Sequence, residues 1–147
     1  ILSGRTRDAN LHYLAKWLGV QGIRLKEVRV VADDMAAIGD AVNALRVAHD
    51  YLFTTGGIGP THDDITVDAI AAALGRPVIV HPQARAILAD HYGDQLTDAR
   101  LRMARTPEGA SLIPNPRTKA PGIRVDNIFI MAGVPMITQG MLAALDG

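Results

Sequence analysis

The sequence predicts an α/β fold, a parallel sheet covered by helices, and three observations predict it. Short apolar, β-prone runs alternate with helical-period segments in the order β-α-β-α-β-α through the first half of the chain. A glycine-rich turn, Gly56-Gly57-Ile58-Gly59, joins one of those runs to the helix that follows. The 147 residues are 48% hydrophobic but only 4% aromatic, which suits helices packed closely on a sheet better than a β-sandwich.

Taken in order, Ile1-Leu2 reads as the tail of an apolar strand whose beginning is missing, so an N-terminal strand is expected to be truncated here. Ser3-Gly4-Arg5-Thr6-Arg7 is a polar turn, and Asp8 or Asn10 can cap a helix carrying Leu11, Leu14, Ala15 and Leu18, which ends near Gly19 or Gly22. Glu27 to Val31 alternates as a strand, with Val28 and Val30 on one face. Asp33-Asp34 can cap a helix with Met35, Ile38, Val42 and Leu45 on its buried stripe. Tyr51 to Thr55 is the strand entering the glycine turn, and Val67, Ile70, Ala71 and Leu74 mark the helix leaving it. Beyond Gly75, Pro77 to Val80 is a short extended segment, and helices are expected over 83–92 and 97–105. A second β-rich portion begins at Ser111-Leu112-Ile113. Asn127 to Met131 is a continuous apolar strand of the kind buried on both faces. A closing helix carries Ile137, Met141, Leu142 and Leu145. No repeat or linker divides the chain, so residues 1–147 read as one domain.

Charge and composition narrow the chemistry. Fifteen basic and fifteen acidic residues balance, which gives no electrostatic case for nucleic acid or a polybasic membrane surface. With no cysteine, disulfides, thiolate catalysis and cysteine-held zinc or iron–sulfur groups are excluded. No apolar run reaches membrane-spanning length, and a cytoplasmic protein is the expectation. Of the five histidines, none in metal-ligand spacing, only His62 lies within the motif. Arg100, Arg102 and Arg105 fit a solvated helix face, with phosphate binding as the alternative.

The glycine turn lacks both the G-x-G-x-x-G spacing of a dinucleotide site and the Gly-Lys-Ser/Thr of a Walker A loop. Its glycines nonetheless let backbone N–H groups reach a ligand, and a helix N-terminus follows, so it favours an anion such as phosphate. The glycines could also serve packing alone. Asp63-Asp64 comes directly after it. Carboxylates repel a bare phosphate, and a divalent cation between them resolves the conflict; helix capping by one aspartate is the other reading. Asp33 and Asp64 both follow strands, so in a parallel sheet they could line one crevice, although the first pair could simply cap. Gly133-Val134-Pro135 also follows a strand and could close that crevice.

Residues 54–66, Thr54-Thr55-Gly56-Gly57-Ile58-Gly59-Pro60-Thr61-His62-Asp63-Asp64-Ile65-Thr66, resemble the signature of the molybdopterin-binding domain shared by Mog, MoaB and gephyrin-type proteins. The Pro60-Thr61-His62-Asp63-Asp64 version is most similar to the competence/damage-inducible CinA branch. Leu2-Ser3-Gly4 with Asp8 and Asn10 resembles that branch's opening, with Ala9 in place of Thr. Val30 to Asp34, Pro107 to Ala110, Asn115-Pro116, Ala120-Pro121-Gly122 and Gly133-Val134-Pro135 follow in the expected order, Ala132 standing where a Pro is usual.

The resemblance implies a three-layer α/β/α fold with a mainly parallel sheet, assembled as a homo-oligomer such as a dimer or trimer. It implies catalytic roles for Asp33 and Asp64, and a divalent cation such as Mg²⁺ on Asp63 and Asp64. It implies ligand contacts from Ser3, Gly4, Asn10, Thr55, Gly56, Gly57, Ile58, Gly59, Pro60, Thr61, His62, Gly133 and Pro135. Hydrolysis of the pyrophosphate of ADP-ribose is the expected activity. The alternatives are molybdopterin binding and adenylylation in molybdenum cofactor assembly, or a non-catalytic nucleotide-binding module.

Overall fold

The computed structural model describes residues 9–116 and 119–145. Helix α1 spans Ala9–Val20 and α2 Met35–Ala48; strand β1 is Leu52–Thr55 and α3 Thr66–Leu74. Then come β2 Val78–Val80, α4 Pro82–Tyr92, the short α5 Asp98–Leu101, β3 Arg105–Pro107, β4 Ser111–Ile113, β5 Gly122–Val125, β6 Ile128–Met131 and α6 Pro135–Leu145.

The main sheet runs in the order β1-β6-β5-β4. Strand β1 lies parallel to β6, with Leu52 opposite Ile128 and Thr55 opposite Met131, while β5 and β4 continue antiparallel. Alternate residues of β6 serve the two faces. Ile128 and Ile130 join Ile38, Val42 and Leu45 of α2 and Val67 and Ile70 of α3. Phe129 and Met131 join Leu14 and Leu18 of α1 and Met141 and Leu142 of α6. Helices therefore cover both faces, and the three-layer α/β expectation holds. The apolar run at 127–131 is uninterrupted because β6 is buried on both sides.

Two expected elements differ. Residues 27–31 are not a strand, because a strand needs a neighbour for its backbone groups and no ladder bond reaches them among the described residues. The segment lies across a 1110 Å³ slot from the open edge of β1. The helix expected over 97–105 is instead one turn of α-helix, a 3₁₀ turn over 102–104, and then β3. Its last residues pair antiparallel with β2, Val80 opposite Arg105, in a separate small sheet. Arginine spacing is compatible with a helix, but the ladder with β2 claims residues 105–107.

Candidate functional site

Because β1 and β6 are parallel, both end at the same edge of the sheet, and the loops that follow them meet there. The Gly56 N–H donates to Met131 O at 3.0 Å, carrying the pairing one residue past β1. Gly56 and Gly57 then take φ of +98° and +73°, left-handed backbone that side chains resist. Thr66, at the start of α3, closes the turn: its N–H donates to Gly57 O at 3.1 Å and its Oγ1 to Gly56 O at 3.1 Å. A Cβ on Gly57 would lie 2.0 Å from that hydroxyl, so this position has no room for a side chain.

The N–H groups of Gly57, Ile58 and Gly59 have no acceptor among the described residues. Ile65 occupies the N-cap of α3, and no side chain caps the helix. Neither Asp63 nor Asp64 is the cap. Free backbone donors and an uncapped helix start together favour an anion.

Asp64 is half-buried, and its Oδ2 accepts from the Thr61 N–H at 3.0 Å and the Thr61 Oγ1 at 2.8 Å. A Cβ on Gly59 would sit 2.8 Å from the same oxygen, so the third glycine makes room for the carboxylate. Oδ1 has no protein partner among the described residues. Asp63 and His62 are exposed; the Asp63 N–H donates to Thr61 Oγ1 at 3.3 Å, and its carboxylate has no partner among the described residues. Pro60 and Thr55 flank the turn.

The first aspartate pair divides its labour. Asp34 caps α2, with Oδ2 accepting from the Ala37 N–H at 2.9 Å. Asp33 is exposed, with no hydrogen bond or ion pair among the described residues, and lines the slot together with Thr55, Gly56, Gly57 and Thr66. The third loop is pinned from two sides. Asn10, buried near the start of α1, donates from Nδ2 to Gly133 O at 2.8 Å. Thr138 Oγ1 is within hydrogen-bonding reach of Ala132 O and Val134 O, and Pro135 opens α6. These ties hold the loop although Ala132 stands in place of Pro. A Cβ on Gly133 would fall 3.1 Å from Gly56 Cα, so the two loops touch backbone to backbone. Ser3 and Gly4 lie outside the described residues.

Sequence reasoning named Thr61 as a ligand contact and not as the donor pair for Asp64, and it missed Thr138 as the brace of the third loop. A Thr three residues before an Asp is the pattern of a local side chain–backbone turn and could have marked the first. Among the described residues no cluster of three or more His, Asp or Glu side chains forms a ready-made metal cage. What the donor set fits is a cation held by one or two carboxylates, with substrate phosphates and water completing it.

The family model described as "Probable molybdopterin binding domain" matches residues 1–145. The chain belongs to that family. Protein Ta0487 of Thermoplasma acidophilum is 33% identical over 151 residues, covering 99% of this chain and 59% of that protein. A crystal structure of CinA from the same organism is 34% identical with a TM-score of 0.91, covering 99% of this chain and 90% of that one. The Mog protein of Mycobacterium ulcerans, at 23% identity, shares the fold with a TM-score of 0.60, over 98% of this chain and 84% of that one. The chain thus spans under two thirds of the length of a relative such as Ta0487. Within the molybdopterin-binding family it is similar to CinA in both sequence and fold, and to Mog in fold. No helix among the described residues is long and apolar enough to cross a membrane.

Proposed function

We propose that this domain hydrolyses a nucleoside diphosphate-linked sugar of the ADP-ribose class with the help of a divalent cation. The observation that carries the reading is the state of Asp64: Thr61 fixes one carboxylate oxygen, and the other has no partner among the described residues, as is also true of the N–H groups of Gly57, Ile58 and Gly59. An anion held by the glycine turn alone would have no use for that carboxylate, since like charges repel. When bound, the cation neutralises the pyrophosphate charge.

The chain's own residues do the rest. The N–H groups of 57–59 and the start of α3 hold the phosphate oxygens and stabilise charge that builds on them. Asp64, with Asp63 as second carboxylate, would hold the cation. Asp33 positions the water and accepts its proton. The water oxygen bonds to one phosphorus as the bridging P–O bond breaks, giving AMP and ribose 5-phosphate. His62 and Gly133-Val134-Pro135 border the ligand. A homo-oligomer is part of this proposal.

The test is AMP release from ADP-ribose with Mg²⁺, in the parent and in Asp64→Asn, which keeps the shape while removing the charge. Loss of about a hundredfold or more is expected, the scale of removing one electrostatic stabiliser. Unchanged turnover in that variant would refute the role. Tight ADP-ribose binding without turnover under any divalent cation would make the domain a binding module. A molybdopterin ligand rests on the family description and the Mog-like fold, and binding of molybdopterin with adenylyl transfer but no AMP release from ADP-ribose would favour it.

A further inference from the structure

The three arginines at 100, 102 and 105 meet three different fates. Arg100 is committed close to home: its Nη1 donates to Gln95 O at 2.7 Å, and its guanidinium lies 4.5 Å from the centre of the Tyr92 ring. Arg105 forms an ion pair with Asp68, in the first turn of α3. Arg102 has neither kind of tie. Its side chain makes no hydrogen bond or ion pair among the described residues, and its Nε is buried without an acceptor. A guanidinium cannot shed its proton to escape such a position, and a buried cationic N–H is costly to leave unmet. The backbone nevertheless holds Arg102 in place. Ala104, two residues on, is fully buried with Ala84 and Leu88, and its carbonyl accepts from the His81 N–H at 2.8 Å. Arg105 is then fixed by its pairing with Val80 of β2.

Arg102 is held at the far end of the glycine turn. Ile58, Gly59 and Asp64 line one small cavity together with Asp68, Arg102 and Arg105. Asp33 belongs to the other end, where it lines the slot with Gly56 and Gly57. Asp64 Oδ1 has no partner among the described residues, yet no ion pair joins Asp64 to Arg102. We infer that Arg102 is the ligand of a second phosphate, and so the residue that selects a diphosphate over a monophosphate. This rests on the reading that the N–H groups of 57–59 hold a phosphate. Those donors serve one phosphate; a neighbouring one beyond Gly59 carries charge that the turn does not meet. Arg102 lies where that charge would fall, and the planar fork of its N–H groups matches two phosphate oxygens. The cavity, at about 10 Å³, has room for one water at most, so the phosphate would meet the guanidinium at the rim rather than inside. Arg105 does not compete for it, because Asp68 already holds that guanidinium.

The experiment titrates the 147-residue chain calorimetrically in Mg²⁺ with two probes, AMP and α,β-methylene-ADP, a diphosphate that water cannot split at its bridge. The parent should bind the diphosphate more tightly than AMP. Arg102→Gln should weaken the diphosphate by about tenfold or more, the scale of one charge-assisted hydrogen bond, and leave AMP within about threefold. Arg102→Lys, which keeps the charge but loses the fork, should fall between the parent and Arg102→Gln. Urea unfolding checks that each variant folds. If Arg102→Gln does not, Arg102→Lys decides, since it should still weaken the diphosphate alone. Arg100→Gln should change neither affinity. Equal losses for both probes in the Arg102 variants would mark a merely structural arginine and overturn the inference. A parent with no preference for the diphosphate, or an unchanged diphosphate affinity in the Arg102 variants, would overturn it as well. A parent that binds neither probe would refute the phosphate site itself, and this inference with it. No readout depends on turnover, so failure here and failure of the hydrolase reading are separate results.

Discussion

Gly57→Ala tests whether the turn is built around a missing side chain or merely tolerates one. At Gly56, where φ is +98°, an added Cβ meets nothing within 4 Å. Gly56→Ala therefore carries only the left-handed backbone cost, about 1–2 kcal/mol. At Gly57 the same backbone cost applies, but the Cβ arrives 2.0 Å from Thr66 Oγ1. Thr66 is buried, and its hydroxyl must abandon Gly56 O, a penalty of about 1–3 kcal/mol for an unpaired buried group. The sum for Gly57→Ala is about 2–5 kcal/mol. In a domain of this size that lowers Tm by roughly 4–20 °C, against roughly 2–8 °C for Gly56→Ala. The assay is urea unfolding of both variants and of Gly57→Ala with Thr66→Ala, which deletes the colliding oxygen. The double variant should recover part of the loss, a coupling beyond simple additivity. Equal stability of Gly56→Ala and Gly57→Ala would refute the reasoning, because the collision is what separates them.

Gly133→Ala places a Cβ 3.1 Å from Gly56 Cα, a backbone atom that cannot rotate aside. A loss of about 1–2 kcal/mol in urea unfolding is expected, with exchange quickening at Gly56 rather than in distant helices. Glu27 is held below its ordinary range by the Arg29 side chain at 2.8 Å and, second, by His49 at 3.2 Å. A carboxylate lowered in the folded state adds stability above its ordinary value and loses it as pH falls through the lowered folded value. Glu27→Gln should therefore match the parent most closely at acid pH, below the lowered folded value, and fall behind it as pH rises through the ordinary carboxylate range. An NMR titration of Glu27 with a midpoint in the ordinary range would contradict this.

What could be read from the sequence follows how local each determinant is. The run at 127–131 declared itself because burial on both faces demands apolar residues at every position. Helix α2 was legible at both ends of its logic, an aspartate before it and an apolar stripe along it. Residues 27–31 carry the right alternation yet form no strand, since alternation describes side chains while a ladder needs a neighbour. The pairing of 105–107 with β2 was not legible either. The residues it joins are far apart in sequence, and the intervening arginines fit a helix equally well.

The acidic pairs show the same division at the level of the site. Sequence alone left each aspartate with two readings, cap or ligand. At 33–34 backbone geometry decides between neighbours: Asp34 adopts φ −135° and ψ 131°, the extended conformation that turns its carboxylate onto the Ala37 N–H, and Asp33 is released. At 63–64 neither residue caps, because Ile65 intervenes before α3. Thr61 instead takes up one oxygen of Asp64. A carboxylate engaged on one oxygen is oriented without being neutralised, because a neutral N–H and a hydroxyl supply direction but no positive charge. That leaves a directed negative charge beside N–H groups that favour an anion, and the carboxylate and a bound phosphate would repel each other unless a cation came between them. With so few protein carboxylates on offer, such a cation would owe most of its coordination to the substrate. Metal affinity in the absence of a phosphorylated ligand should then be weak, and should rise when one is added.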